Sequence, residues 1–341
     1  MRSNAFSLLV RTARGREKRR ACQAVSWNSS TPLSATKANS LPTIKSQHAF
    51  STSVSETEVQ KFNALHSEWW DPKKNPLIQM NTIRVQYIRE QVEAQLSTTS
   101  TATNSITNDT TDKAHNPHTS SSSSLPFQGL SMLDIGCGGG VLTESLKRLG
   151  AAQAVGIDPS SHLLHVAKQR AVALGGISDD SNNNNNVPEY HCTTAEEWAA
   201  QNPQTYDVVC IMDVIEHIPQ IDSVGQAIAR LLKPNGILIV STLNRTALSY
   251  ALTIVGAEYI MGYVPAGTHD WNLYRSPQEV QALWKPWGLE QTHVSGMVLR
   301  RPPVLQWDWK LDPTDLNINW VAAYRLQSAS TITDDDDDGQ E

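Results

Sequence analysis

The stretch Leu133-Asp134-Ile135-Gly136-Cys137-Gly138-Gly139-Gly140, followed by Ala154-Val155-Gly156-Ile157-Asp158, decides how this chain is read. An apolar run, a glycine turn, a helical stretch and a second apolar run ending in a carboxylate make one βαβ half-unit. Such a unit seats an adenosine-bearing cofactor outside the carboxyl end of its first strand. Glycines let the backbone pass close to a ligand with no Cβ in the way. A carboxylate about 20 residues further on accepts hydrogen bonds from ribose hydroxyls, and Asp158 stands there. The dinucleotide fingerprint needs one more glycine at position 141. Val141 occupies it, which disfavours a nicotinamide-dependent dehydrogenase. The alternative is an ordinary tight βα turn with a surface aspartate; the placing of Asp158 together with the pattern downstream argues against it.

Outward from this unit, strand-like and helical runs alternate. Strands are expected at 131–135, 154–157, 189–192, 208–212, 237–242, 289–295 and 321–326, and helices at 141–149, 163–174, 195–201 and 224–232. This is the pattern of an α/β protein: a doubly wound, mostly parallel seven-stranded sheet of Rossmann-like type with crossover helices. The last two strands are expected to close it as an antiparallel edge hairpin. Residues 247–270 interrupt the alternation, and their apolar and aromatic side chains suit a lid over the strand ends.

The 341 residues carry a formal net charge of −6, which argues against nucleic acid as a partner. Cys22, Cys137, Cys192 and Cys210 lack the spacing of a zinc knuckle or a disulfide framework. Residues 1–52 are rich in Arg, Lys and Ser, with Glu17 the lone acid among the first fifty. That composition predicts a mitochondrial transit peptide rather than fold. The globular domain is expected over 53–328, with disordered polar inserts at about 97–126 and 178–187. The aspartate block at 334–338 places a solvated acidic tail at 329–341.

Two further motifs carry chemistry. Thr194-Ala195-Glu196-Glu197 follows the third strand, where Ala195 or Glu196 would face an adenine ring; a capped helix start explains the same residues. Asp213-Val214-Ile215-Glu216-His217 ends the fourth strand. On a helix, positions i, i+3 and i+4 share one face. Two carboxylates and an imidazole there would suit a divalent cation such as Mg²⁺, or would be surface charges around a hydrogen-bonded histidine. Either way His217 is a candidate active-site group.

The D-x-G-x-G-x-G loop resembles that of class I methyltransferases dependent on S-adenosylmethionine (SAM). Narrower blocks sharpen this: Glu68-Trp69-Trp70-Asp71-Pro72, Asn81 to Ile88, Ser241 to Arg245, Val255-Gly256-Ala257-Glu258-Tyr259-Ile260 and Val264 to Trp271. Together they resemble the ubiquinone-biosynthesis O-methyltransferase family over 54–325, apart from the polar inserts. The resemblance implies methylation of catechol-type hydroxyls on polyprenylated rings. It implies SAM contacts at Arg84, Gly136, Asp158 and Met212, besides Asp134, Gly138 and Ala195 of the loop and adenine side. Asp213, Glu216 and His217 would match the family's metal triplet, which usually begins with Glu. His217 and Glu216 would then serve catalysis, with His269 of the Thr268-His269-Asp270 turn positioning substrate. A polyprenylated substrate implies peripheral attachment to the matrix face of the mitochondrial inner membrane, beside other ubiquinone-biosynthesis proteins. Methylation of another small phenol or carboxylate, or a non-catalytic scaffold, stay open at this level.

Overall fold

The computed structural model describes residues 53–72, 74–103, 125–175, 187–262, 265–300 and 308–327. The expected transit peptide and acidic tail, and most of both polar inserts, lie outside the described residues. In chain order the elements are α1 (Glu56–Asn63), α2 (Pro76–Thr103), β1 (Ser131–Ile135), α3 (Val141–Arg148), β2 (Gln153–Asp158), α4 (Ser161–Gly175), β3 (Glu189–Cys192), α5 (Ala195–Gln201) and β4 (Tyr206–Met212). There follow α6 (Ile221–Leu231), β5 (Leu232–Leu243), α7 (Ala247–Ser249), a π-helix at Tyr250–Ile260, α8 (Pro277–Trp284), β6 (Leu289–Leu299), β7 (Trp309–Asp312) and β8 (Asn319–Leu326).

The described strands form one sheet in the order β3-β2-β1-β4-β5-β8-β6-β7. The first five are parallel; β8 runs antiparallel to β5, β6 to β8, and β7 to β6. Side chains alternate between two cores. Leu133, Ile135, Val209 and Ile211 pack with α5, α6 and α8, while Met132, Val208 and Cys210 pack with α2 and α3. The central strands therefore read as unbroken apolar runs, as strands buried on both faces do.

Two details depart from the sequence expectation. The sheet has an eighth described strand, β7, whose four half-buried residues are too short for a period to register. The expected antiparallel pair of the last two strands forms, as β6 and β8, but β7 lies outside it, and its inner member is β8, between β5 and β6. Its residues 319–324 are all buried, so interior placement follows from its composition, and β7 takes the edge. A third correction concerns the first insert. Helix α2 continues to Thr103, so residues 97–103 are helical rather than disordered. Met80, Ile83, Tyr87, Ile88 and Val92 bury its first half, and each further residue extends an already nucleated helix by one hydrogen bond. At the insert's other end, the Gln128 amide closes a turn on the Leu125 carbonyl.

Strand order reverses at β1, which pairs with β2 on one side and β4 on the other. Ligand crevices in open α/β sheets open at such a switch point, outside the carboxyl ends of the strands. Here those ends deliver Gly136 and Asp213.

Candidate active site

The glycine loop is shaped by what it must avoid. Gly136, Gly138 and Gly140 have φ of 71°, 54° and 85°, a region that favours glycine. A Cβ on Gly138 would stand 2.3 Å from the Trp69 ring, and one on Gly136 would stand 2.4 Å from Val214. Neighbouring Trp70 donates from Nε1 to the Gly139 carbonyl at 2.9 Å, under the Arg170 guanidinium 3.6 Å from its ring centre. The Trp69-Trp70 pair is thus the outer wall of the loop.

Two buried carboxylates set the loop from inside. Asp158 accepts from the Gly138 amide at 2.9 Å and the Ser160 amide at 2.7 Å. Asp134 accepts from Thr143 Oγ1 at 2.7 Å. Burial pushes Asp158 up to about 6 and Asp134 up to about 7. A cleft opens beside them. Arg84, Asp134, Gly136, Gly138, Asp158, Ala195, Met212, Asp213 and His217 all line it. Ala195 does so from the start of α5, where Thr194 and Glu197 form a reciprocal cap. Glu196 instead turns inward, accepting from the Ser53 amide at 3.3 Å and Ser223 Oγ at 3.1 Å.

The Asp213–His217 segment departs from the expected helical face. Asp213 has φ of 55°, and only Ile215–His217 wind as a short 3₁₀ turn. The three side chains take different partners. Asp213 pairs with the buried Arg84. Glu216 is buried and accepts from Thr242 Oγ1 at 2.8 Å; burial, then the nearby Asp213, pushes it up to about 7. His217 meets Glu58 Oε2 through Nδ1 at 3.0 Å. The expected metal triplet is corrected accordingly: each member is committed to a different partner. Among the described residues no group of three His, Cys, Asp or Glu side chains is placed to hold a metal ion.

What surrounds His217 came from outside the local motif. Phe62 of α1 stands edge-on to its ring at 4.9 Å, and His269 stacks on it with ring centres 5.6 Å apart. Hydrogen bonding to His217 holds Glu58 down to about 2. His269 lies outside the cleft lining but against it, its Nδ1 2.6 Å from Glu258 Oε1. Burial, then His217, pulls the His269 imidazole below its ordinary value. Sequence reasoning missed Glu58 and Glu258 as site residues. Glu258 left a signal, a carboxylate inside an otherwise apolar segment, since such a group is rarely buried without partners; Glu58 left none on its amphipathic surface helix.

Comparison with known proteins identifies the family. Residues 111–296 match the family model described as a methyltransferase domain. The chain is 39% identical over 274 residues to a ubiquinone biosynthesis O-methyltransferase of Cereibacter sphaeroides, covering 80% of this chain and 96% of that protein. It is 39% identical over 272 residues to the protein of that name in Dinoroseobacter shibae, covering 79% and 95%. The Ruegeria pomeroyi protein is 36% identical over 277 residues, covering 81% and 97%.

Proposed function

Because the chain belongs to the ubiquinone biosynthesis O-methyltransferase family, we propose that it methylates one hydroxyl of a polyprenylated catechol at the two O-methylation steps of ubiquinone synthesis. One observation carries this reading. The cleft joins a glycine loop closed by Asp158 to an imidazole, His217, held by a carboxylate.

The residues present fit SAM. Asp158 is placed for ribose hydroxyls, Ala195 for the adenine, and Gly136, Gly138 and Met212 for the rest of the molecule. Arg84 suits the methionine carboxylate: its Nε is buried and has no partner among the described residues. Bound SAM supplies an electrophilic methyl group. The acceptor phenol is a weak nucleophile until its proton leaves, and His217 is the group that takes it. A carboxylate only accepts hydrogen bonds, so the contact to Glu58 makes Nδ1 the donor and leaves Nε2 as base. Glu216 is buried against Thr242 and is not among the residues lining the cleft, so it supports the segment that carries His217. Proton removal by such a base contributes roughly 10²–10⁴-fold, and the rest is positioning.

Asp213, Glu216 and His217 do not fit a shared Mg²⁺ as they stand, and no step here runs through a metal. Membrane association is the second part of the proposal. The lid exposes Leu248, Tyr250, Leu252, Val255, Tyr259, Ile260 and Met261, a surface suited to the headgroup boundary where a polyprenyl tail enters. No helix among the described residues is long and apolar enough to cross a membrane. With the basic, acid-poor N-terminus, this supports a peripheral protein on the matrix face of the mitochondrial inner membrane, beside other enzymes of the same synthesis.

The test is transfer of label from SAM to a short-chain prenylated catechol, with and without a chelator. Label should enter the catechol in both arms. Loss with chelator would restore a metal to the mechanism, and no transfer at all would overturn the assignment.

A further inference from the structure

The π-helix and the loop that follows it meet at one buried carboxylate. Glu258, on the π-helix, has a side chain with no exposed surface. It accepts three hydrogen bonds from the loop that follows: from the Gly267 amide at 2.7 Å, the His269 amide at 3.0 Å and His269 Nδ1 at 2.6 Å. Three donors on one carboxylate fix both the loop and the ring. They also fix the tautomer, because the carboxylate leaves His269 with its proton on Nδ1 and a lone pair on Nε2.

The same construction occurs at His217, where Glu58 of α1 holds Nδ1. The two rings lie 5.6 Å apart and within 30° of parallel. Both keep a sliver of exposed surface, 11% for His217 and 17% for His269. Lys61 joins the two constructions, donating to Glu58 Oε1 at 2.6 Å and to the Gly267 carbonyl at 2.9 Å. The chain thus spends two carboxylates and a lysine on orienting two adjacent imidazoles, where a single general base needs one.

We propose that His217 and His269 form a paired acceptor that reads the two ortho hydroxyls of a catechol, with Glu258 as the positioning residue of the second ring. The inference rests on the methyl transfer proposed above and goes beyond it by assigning the neighbouring hydroxyl its own partner. A hydroxyl donates to nitrogen over roughly 2.8 Å, and two imidazoles whose ring centres stand 5.6 Å apart can each take one of two adjacent hydroxyls. His217 meets the hydroxyl that is methylated; His269 meets the one beside it. A substrate lacking the second hydroxyl leaves His269 facing it without a donor, and a site built to bond a hydroxyl discriminates against its absence.

The experiment compares a short-chain prenylated catechol with the counterpart in which the second hydroxyl is hydrogen. Wild-type kcat/KM should favour the catechol by roughly ten- to a hundredfold, the worth of one hydrogen bond whose loss strands a buried partner. His269→Asn keeps an amide donor for Glu258 and removes Nε2. Its rate on the catechol should fall far more than its rate on the counterpart, bringing the ratio within about threefold. Glu258→Gln presents an amide to the ring and should narrow the ratio in the same way. Calorimetric affinity for the catechol should fall with each variant while SAM affinity holds. Equal losses on both substrates would reduce His269 to a prop of the lid and overturn the proposal, as would an unchanged ratio. A wild-type enzyme that methylates both substrates equally sinks this inference alone; one that methylates neither sinks the proposed function with it.

Discussion

Glu58, on the N-terminal helix, meets His217 Nδ1 at 3.0 Å across a sequence separation of 159 residues. Nothing in the Asp213–His217 motif foretells this pair, yet it decides which ring nitrogen faces the cleft. Because Glu58 is held down to about 2, its charge is constant across the working pH range. His217→Ala should lose most turnover, roughly 10²–10⁴-fold in kcat, with SAM affinity nearly intact. Glu58→Gln should cost less, on the order of tenfold, since the amide still fills the space. Single-turnover rates beside SAM titrations check both. An equal loss of SAM affinity in His217→Ala would remove the assigned role.

Gly138 carries the next prediction. It combines φ of 54° with a Trp69 ring where its Cβ would go. Gly138→Ala should destabilise the fold by about 1–3 kcal/mol through strain and overpacking. Trp69→Ala in the same chain should recover part of that, because contacting sites are not additive. Urea unfolding of the single and double variants measures the coupling; strictly additive losses would mean the wall and the loop are independent.

The pH dependence follows from the two buried aspartates. Asp158 at about 6 and Asp134 at about 7 both lie above the ordinary value near 3.9. Between about pH 4 and 7 the folded chain therefore binds more protons than the unfolded chain. Stability without ligand should fall as pH rises through that window. On the proposed placement of Asp158 at the ribose hydroxyls, which would donate to its ionised form, SAM binding should run the other way. Affinity should rise on the order of tenfold between about pH 5 and 7, and Asp158→Asn should flatten the rise. Calorimetry across that range reads both signs.

Ile260 and Met261, 75% and 49% exposed where the π-helix ends, test the membrane proposal. Changing Ile260 and Met261 to Ser removes two apolar side chains, each worth up to about 1.5–3 kcal/mol when buried. Co-sedimentation with anionic liposomes should drop severalfold. Unchanged sedimentation would place the contact elsewhere.

What could be read from the sequence was whatever depends on a few neighbouring residues. Glycine at 136 and 138 permits the positive φ found there, and Asp158 reaches the Gly138 amide within one βαβ unit. Alternating apolar strands set the parallel sheet and so put both ends of the site at the β1–β4 switch point. The same local reading failed at Asp213–His217, because helical spacing presumes a helix and Asp213 sits at φ of 55°. It found the antiparallel pair of β6 and β8 but missed β7, whose four residues are too few to show a period.

The sequence by itself determined the donor side: the glycine loop, the carboxylate beyond it, and the sheet that presents them. Only the tertiary structure decided the acceptor side. It sent Asp213 to Arg84, gave His217 to Glu58, and clamped His269 with Glu258. The physical reason is range. Backbone conformation is set by neighbours along the chain, whereas the partner of a buried charge is whichever opposite group the packed fold brings within hydrogen-bonding distance, and short-range patterns carry no record of that choice.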